Sequence, residues 1–283
     1  MPNLRVIYDN AADRATLSAS SSVGALVAAN LKSDLKSVVW RSDTAGAGAT
    51  PLASLTLTWA TPEIIAGVAL PYCNLSSQAT LRVYGYTNAA DSVPLFDTGA
   101  VLACPNAGFG LWNWGAVPLG ANAYAYGGGA LGRVWVPVPG AVRKLIIELS
   151  DPGNPGGYIE ASRLVCGAYW EPAKNVDYGA SAQPLDHSKN FRNDAGDLMS
   201  DQGARSVKLA LPMSKLDPTD RARLFSILRG NGITRPVFVS VFPNDTDTAR
   251  EQDHQLYGKL VTTPSMTLPS FNLAAATLEI ESI

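Results

Sequence analysis

Leu55-Thr56-Leu57-Thr58-Trp59, closed by Thr61-Pro62, alternates apolar and hydroxyl side chains with a period of two. That is the pattern of a strand with one buried face. It recurs in Leu81, Val83 and Gly85, set between Arg82, Tyr84 and Tyr86, and in Val134, Val136 and Val138, set between Arg133, Trp135 and Pro137. Ile64 to Leu70 and Leu145 to Leu149 are more continuously apolar, which predicts strands covered on both sides. Clusters such as Asp151-Pro152-Gly153-Asn154-Pro155-Gly156-Gly157 break the chain into turns. Many short strands with few helix signals predict a β-sandwich over residues 1–172.

After Trp170-Glu171-Pro172 the pattern changes, and residues 173–283 read as a smaller β-domain with one α-helix. Asp217 is placed to cap that helix, Pro218 suits its first position, and Asp220 adds negative charge to its first turn. Leu224, Phe225, Ile227 and Leu228 form the expected apolar stripe, and Arg229-Gly230 the stop. Strands are predicted around Val207 to Leu211, Val237 to Val241, Gln255 to Thr262 and Ala275 to Ile283.

The 283 residues are 46% hydrophobic and only 16% charged, against roughly 25% charged in an average domain. So little charge points to surface covered by other subunits. The net charge of −2 offers no basic field for nucleic acid, and no apolar run is long enough to insert in a membrane. Met1-Pro2-Asn3-Leu4-Arg5 lacks the features of a secretory signal, which predicts synthesis in a cytoplasm and three reduced, buried cysteines, Cys73, Cys104 and Cys166.

Catalytic frames are missing. His187 and His254 belong to no zinc-protease motif, and no nucleophile elbow is present. Gly127-x-Gly129-x-x-Gly132 matches the dinucleotide fingerprint in letters, but a strand rather than a helix is predicted to follow it. Asn244-Asp245-Thr246-Asp247 lacks the glycine and distal glutamate of a calcium loop and reads as a solvated turn. The chain is read as no enzyme, with no metal and no cofactor. From Thr98 to Gly132 there is no charged residue, while glycine and aromatics are dense. Such a segment must fold onto its own domain or against a neighbour. Trp112, Trp114, Tyr124 and Tyr126 are its candidate carbohydrate-binding residues, because sugar C–H faces stack on aromatic rings.

Two resemblances extend this reading. Asn10-Ala11-Ala12-Asp13, Asn30-Leu31 and Trp40-Arg41-Ser42, with the closing Val142 to Glu148 and Gly157 to Leu164, resemble galactose-binding-like (discoidin-type) jelly-roll sandwiches. Tyr178-Gly179-Ala180-Ser181, Phe191 to Asp197, Ile227 to Gly232 and Arg235 to Phe238 resemble tail proteins of long-tailed bacteriophages, in particular distal tail proteins, although the order of the two domains is reversed. That second resemblance implies a structural protein of the virion tail tip or baseplate, assembled in the host cytoplasm. Residues 173–283 would be the tail-tube-like domain of a hexameric ring of identical subunits joining tail tube to hub. The uncharged segment and the terminal Leu278-Glu279-Ile280 are then the expected contacts. The alternative is a carbohydrate-binding module that attaches to a host surface glycan and is anchored by its C-terminal domain.

Overall fold

The computed structural model describes residues 2–43, 52–104, 130–154 and 156–283. The chain divides into two compact units, one of Met1–Glu171 with Val237–Gln255, the other of Pro172–Pro236 with Leu256–Ile283. The fold is mainly β throughout. The first unit begins with β1 (Arg5–Ile7), β2 (Thr16–Ala19), β3 (Trp40–Arg41), β4 (Leu52–Cys73), β5 (Thr80–Tyr86), β6 (Phe96–Asp97), β7 (Val101–Leu102), β8 (Ala130–Ser150), β9 (Glu160–Ala161), β10 (Val165–Gly167) and β11 (Tyr169–Trp170).

β4 and β8 form one long antiparallel ribbon from Leu52↔Ser150 to Cys73↔Ala130, with register breaks after Thr58, Ile65 and Pro71. Such irregularities bend a ribbon, and this one contributes to both layers of a jelly-roll sandwich. Its first half takes β2 on the β4 edge and β5, with β6 and β7 beyond, on the β8 edge. Its second half carries β10 and β9 on β4, and β3 on β9. Leu55, Leu57, Leu81, Val83, Leu145, Ile147 and Leu149 then meet Ile65, Val68, Leu70, Val134 and Val136 in a single core. Thr61-Pro62 does not end the strand as expected. Pro62 sits where the register slips between Thr58 and Glu63, so the ladder loses no hydrogen bond to it.

In the second unit β12 (Ser181–Asp186), β13 (Lys189–Arg192), β14 (Leu198–Asp201) and β15 (Arg205–Leu216) precede α1 (Pro218–Asn231). The Asp217 side chain accepts from Asp220 N, as its position predicted. The helix runs past Gly230 and stops at Gly232, whose φ of 54° is the left-handed conformation that glycine tolerates. Leu224, Ile227 and Leu228 are buried against this unit's own sheet, whereas Phe225 turns outward under the Arg229 guanidinium, 5.2 Å from its ring.

The chain then returns to the first unit with β16 (Val237–Ser240) and α2 (Thr248–Asp253) before β17 (Gln255–Leu260), β18 (Thr267–Ser270) and β19 (Leu273–Ser282) complete the second. β19 lies between β15 and β17, and its Leu278 and Ile280 are buried there. The terminal strand is therefore a core element of its own unit and not the contact surface expected of it.

β16 pairs with β1 through Arg5↔Ser240 and Ile7↔Phe238, and β1 pairs with β11 on its other edge. This layer covers the outer face of β8. Trp135 meets Tyr169 edge-on at 5.4 Å and Phe238 at 6.2 Å, with the Arg5 guanidinium 5.0 Å from its ring. Gly67 opposite must lack a Cβ, which would lie 2.7 Å from the Trp135 ring. Positions 132–136 are consequently buried on both faces, while Val138 is exposed; the simple alternation expected there fails because distant strands cover the second face. Leu145 to Leu149, expected to be covered twice, alternates instead.

Arg133 donates to both carboxylate oxygens of Glu251 at 2.8 and 2.5 Å, with the two side chains only 7% and 0% exposed. The Asn244 N–H also donates to Glu251, at 2.9 Å. Asn244, Thr246 and Asp247 are exposed, as expected of a solvated turn, while Asp245 is buried and bonds to Arg250 and Asp247 at the entry to α2. Residues 173–283 thus do not form one contiguous domain. Val237–Gln255 groups with the first unit because it completes the β1 ladder and neutralises a buried arginine. Breaking one partner of a buried pair costs about 3–5 kcal/mol, so Glu251→Ala should lower stability by that much in urea denaturation. The double variant Arg133→Met/Glu251→Leu should lose much less.

Candidate functional site

Trp40 and Ala161 are paired in register between β3 and β9, and Ala161 is also opposite Cys73 on β4. All three side chains point into the core. Strand alternation then sends Arg41 and Glu160, the next pair in the same register, to the outer face. The indole N–H of Trp40 donates to Ser21 O at 3.0 Å and fixes the short β3 from beneath.

Further contacts hold the side chains around this pair and near the end of β4. The Arg41 guanidinium donates to Glu160 at 2.7 Å and lies 4.2 Å from the Tyr158 ring centroid. Lys36 Nζ lies 4.4 Å from the Tyr72 ring. Asn74 binds β9 on both sides of Ile159, its Nδ2 donating to Tyr158 O at 2.9 Å and its Oδ1 accepting from Glu160 N at 2.8 Å. Asn154 donates to Asn74 O at 3.1 Å and to the buried Asp151, which accepts from the Ser76 N–H and hydroxyl. The turn leading into Tyr158 is therefore held at several points.

Tyr72 has a φ of 55°, a conformation that costs a non-glycine residue about 1–2 kcal/mol. The Ser162 N–H donates to its carbonyl at 3.2 Å. Strain of this kind concentrates at binding sites, where the surrounding structure enforces it. The Glu160 hydrogen bond raises the pKa of Arg41, and partial desolvation lowers that of Lys36. The face thus offers two tyrosine rings, cationic donors and one carboxylate whose charge is already matched.

The aromatics singled out from sequence, Trp112, Trp114, Tyr124 and Tyr126, lie outside the described residues. The ends of their segment are placed. Ala103 N–H donates to Ala79 O at 2.9 Å, Arg133 N–H donates to Ala103 O at 3.1 Å, and Ala130 is paired with Cys73. Both ends are thus tied to the same part of the sandwich. Gly132 lies within β8 and is followed by strand, as expected, whereas Gly127 and Gly129 lie outside the described residues.

Neither histidine forms a catalytic frame. His187 Nε2 is 3.0 Å from Ser206 Oγ, but that hydroxyl donates to Glu281 at 2.9 Å, and Glu281 approaches the same Nε2 at 3.4 Å. A relay would need the carboxylate on Nδ1. His254 Nδ1 donates to Arg250 O at the end of α2. Among the described residues no group of three or more acidic, cysteine or histidine side chains could hold a metal ion. No described helix is long and apolar enough to cross a membrane. A groove of about 510 Å³ in the second unit, between Asp177, Met213, Thr262, Pro264, Thr277 and Glu279, has neither an aromatic ring nor a cation in its lining.

No protein-family model and no curated protein matches the chain. Among solved structures it is similar to a GH29 fucosidase from Ruminococcus gnavus in complex with fucose, at 11% identity and a TM-score of 0.39 over 59% of this chain and 28% of the fucosidase. It is also similar to a Clostridium perfringens CBM32 module in complex with GalNAc-β-1,3-galactose, at 10% identity and a TM-score of 0.39 over 56% of this chain and 100% of that one. The family 32 carbohydrate-binding module of C. perfringens NanJ, in complex with galactose, gives 14% identity and a TM-score of 0.37 over 59% and 99%. At these identities and TM-scores the likeness assigns no function.

The backbone at Tyr72 reverses a usual order of substitutions. Glycine in a strand is ordinarily worse than alanine, but here Tyr72→Gly should be more stable than Tyr72→Ala by about 1 kcal/mol in urea denaturation.

Proposed function

We propose that the protein is a non-catalytic carbohydrate-binding module whose sandwich recognises a surface glycan and whose second unit is its anchor. One observation carries this reading: Tyr158 lies against the Arg41–Glu160 pair on the outer face of β3 and β9, and Tyr72 near the end of β4 lies against Lys36. Tyrosine rings suit the apolar C–H face of a pyranose. Arg41 and Glu160 hold each other in place and keep further donor and acceptor sites for hydroxyl groups. Such a pair orients a sugar without attacking it, since a glycosidase needs a second carboxylate in a different charge state. Trp112, Trp114, Tyr124 and Tyr126 are further candidate ring donors, and they lie outside the described residues.

Calorimetric titration of the full chain with galactose, fucose and chitosan oligosaccharides tests the reading. At least one should bind, and Tyr158→Ala should weaken it about five- to tenfold, the scale of one lost stacking contact. The reading fails if none binds, or if Tyr158→Ala and Arg41→Ala both leave the affinity unchanged.

A second reading, assembly into a ring at a bacteriophage tail tip between tail tube and hub, is favoured by a different feature. Among the described residues β13 and β14 pair only with each other, and every residue of both is exposed, including Phe191, Leu198 and Met199. An isolated two-stranded hairpin is marginally stable in water, and apolar side chains on one mark a docking surface. On this reading the purified protein forms a closed oligomer by light scattering, and Phe191→Ser/Met199→Ser yields a monomer of unchanged melting temperature. A native protein that stays monomeric at high concentration would remove it.

A further inference from the structure

Cys73, at the end of β4, and Cys104, two residues after β7, are both buried in the sandwich core. Gly132 on β8 stands beside both: a Cβ built on it would lie 3.7 Å from each sulfur. Because glycine has none, no side chain of β8 separates the two thiols at that point. The Cys73 thiol donates to Ala130 O at 3.4 Å. The neighbouring Cys104 lowers the pKa of Cys73, while Cys73 and burial hold Cys104 well above the ordinary thiol range. Cys166 is buried elsewhere in the core, where desolvation pushes its thiol strongly up.

We infer that Cys73 and Cys104 form an oxidation site, a dithiol that a peroxide converts into a disulfide tying the start of the 105–129 segment to β4. The Cys73 thiolate attacks one peroxide oxygen and the O–O bond breaks. The departing hydroxide takes up the thiol proton as water, leaving a sulfenic acid on Cys73. The Cys104 sulfur then attacks Cys73 Sγ, the S–O bond breaks, and a second water leaves with the Cys104 proton. Two thiols are oxidised and one peroxide is reduced to two waters. The bond would form at the root of the aromatic-rich segment, and the inference stands whether or not that segment binds sugar.

The test is intact-mass and peptide mapping of the full native chain before and after hydrogen peroxide, with alkylation in denaturant. Before treatment all three cysteines should be alkylated. Afterwards only Cys166 should be, the mass should fall by about 2 Da, and a Cys73–Cys104 linked peptide should appear. Reductant should restore the original pattern. Three alkylated cysteines after treatment, a bond involving Cys166, or oxygen added to either thiol without a linked peptide would each overturn the inference. Cys104→Ser gives an independent reading: its Cys73 should accumulate a sulfenic acid trapped by dimedone, and no trapping would also count against the site.

Discussion

Every part of the first unit depends on the pairing of β4 with β8. Two strands of this length cannot stay flat, because a continuous twisted ribbon would bury its apolar face against nothing. The register breaks after Thr58, Ile65 and Pro71 let the ribbon contribute to two layers, so that Leu55 and Leu57 meet Val68 and Leu70. The shorter strands are then edge additions to one half or the other. β3, β9 and β10 are too short to be stable alone and take their positions from the end of β4. The candidate face is built on those additions, so its geometry is inherited from the ribbon.

The same ribbon explains why the unit needs residues from far along the chain. Its second half has an outer face carrying Arg133, a charge that needs a partner once buried, and Trp135, a large apolar ring. β1, β11 and β16 cover the tryptophan, and Glu251 on α2 matches the arginine. Removing the charge from both partners would leave packing, whereas removing it from one leaves an ion in a low-dielectric environment. The return of Val237–Gln255 is therefore an electrostatic requirement as much as a topological one.

How much of this was legible in the sequence follows from the range over which each interaction acts. Alternation at Leu55 to Trp59 and Leu81 to Tyr86 is local, and the buried faces are those the period of two implies. The Asp217 cap is local as well, and α1 begins where it should. Two glycines, Gly230 and Gly232, stand near its end, and only backbone conformation distinguishes them. Burial on both faces at 132–136 was invisible because its cover comes from residues 5–7 and 237–240. At the candidate face, Trp40-Arg41-Ser42 and Tyr158-Ile159-Glu160 are conspicuous as fold markers, but Arg41 and Glu160 are separated by 119 positions. No spacing rule joins them. The aromatic density of residues 98–132 is a signal of composition, which can propose rings but cannot orient them.

On the proposed reading, the charges at the candidate face serve recognition. Hydrolysis of a glycosidic bond requires one carboxyl group kept protonated and another kept ionised at a set separation. On the outer face of β3 and β9 the carboxylate, Glu160, accepts from the Arg41 guanidinium at 2.7 Å. What it retains is fixed orientation, because Arg41 is itself held over Tyr158 and Tyr158 follows a turn braced by Asn74, Asn154 and Asp151. Rigid polar groups beside aromatic rings lose little entropy when a polyhydroxylated ligand arrives. The strained backbone at Tyr72 is consistent with the same demand, since it fixes a ring where the strand geometry alone would not place it.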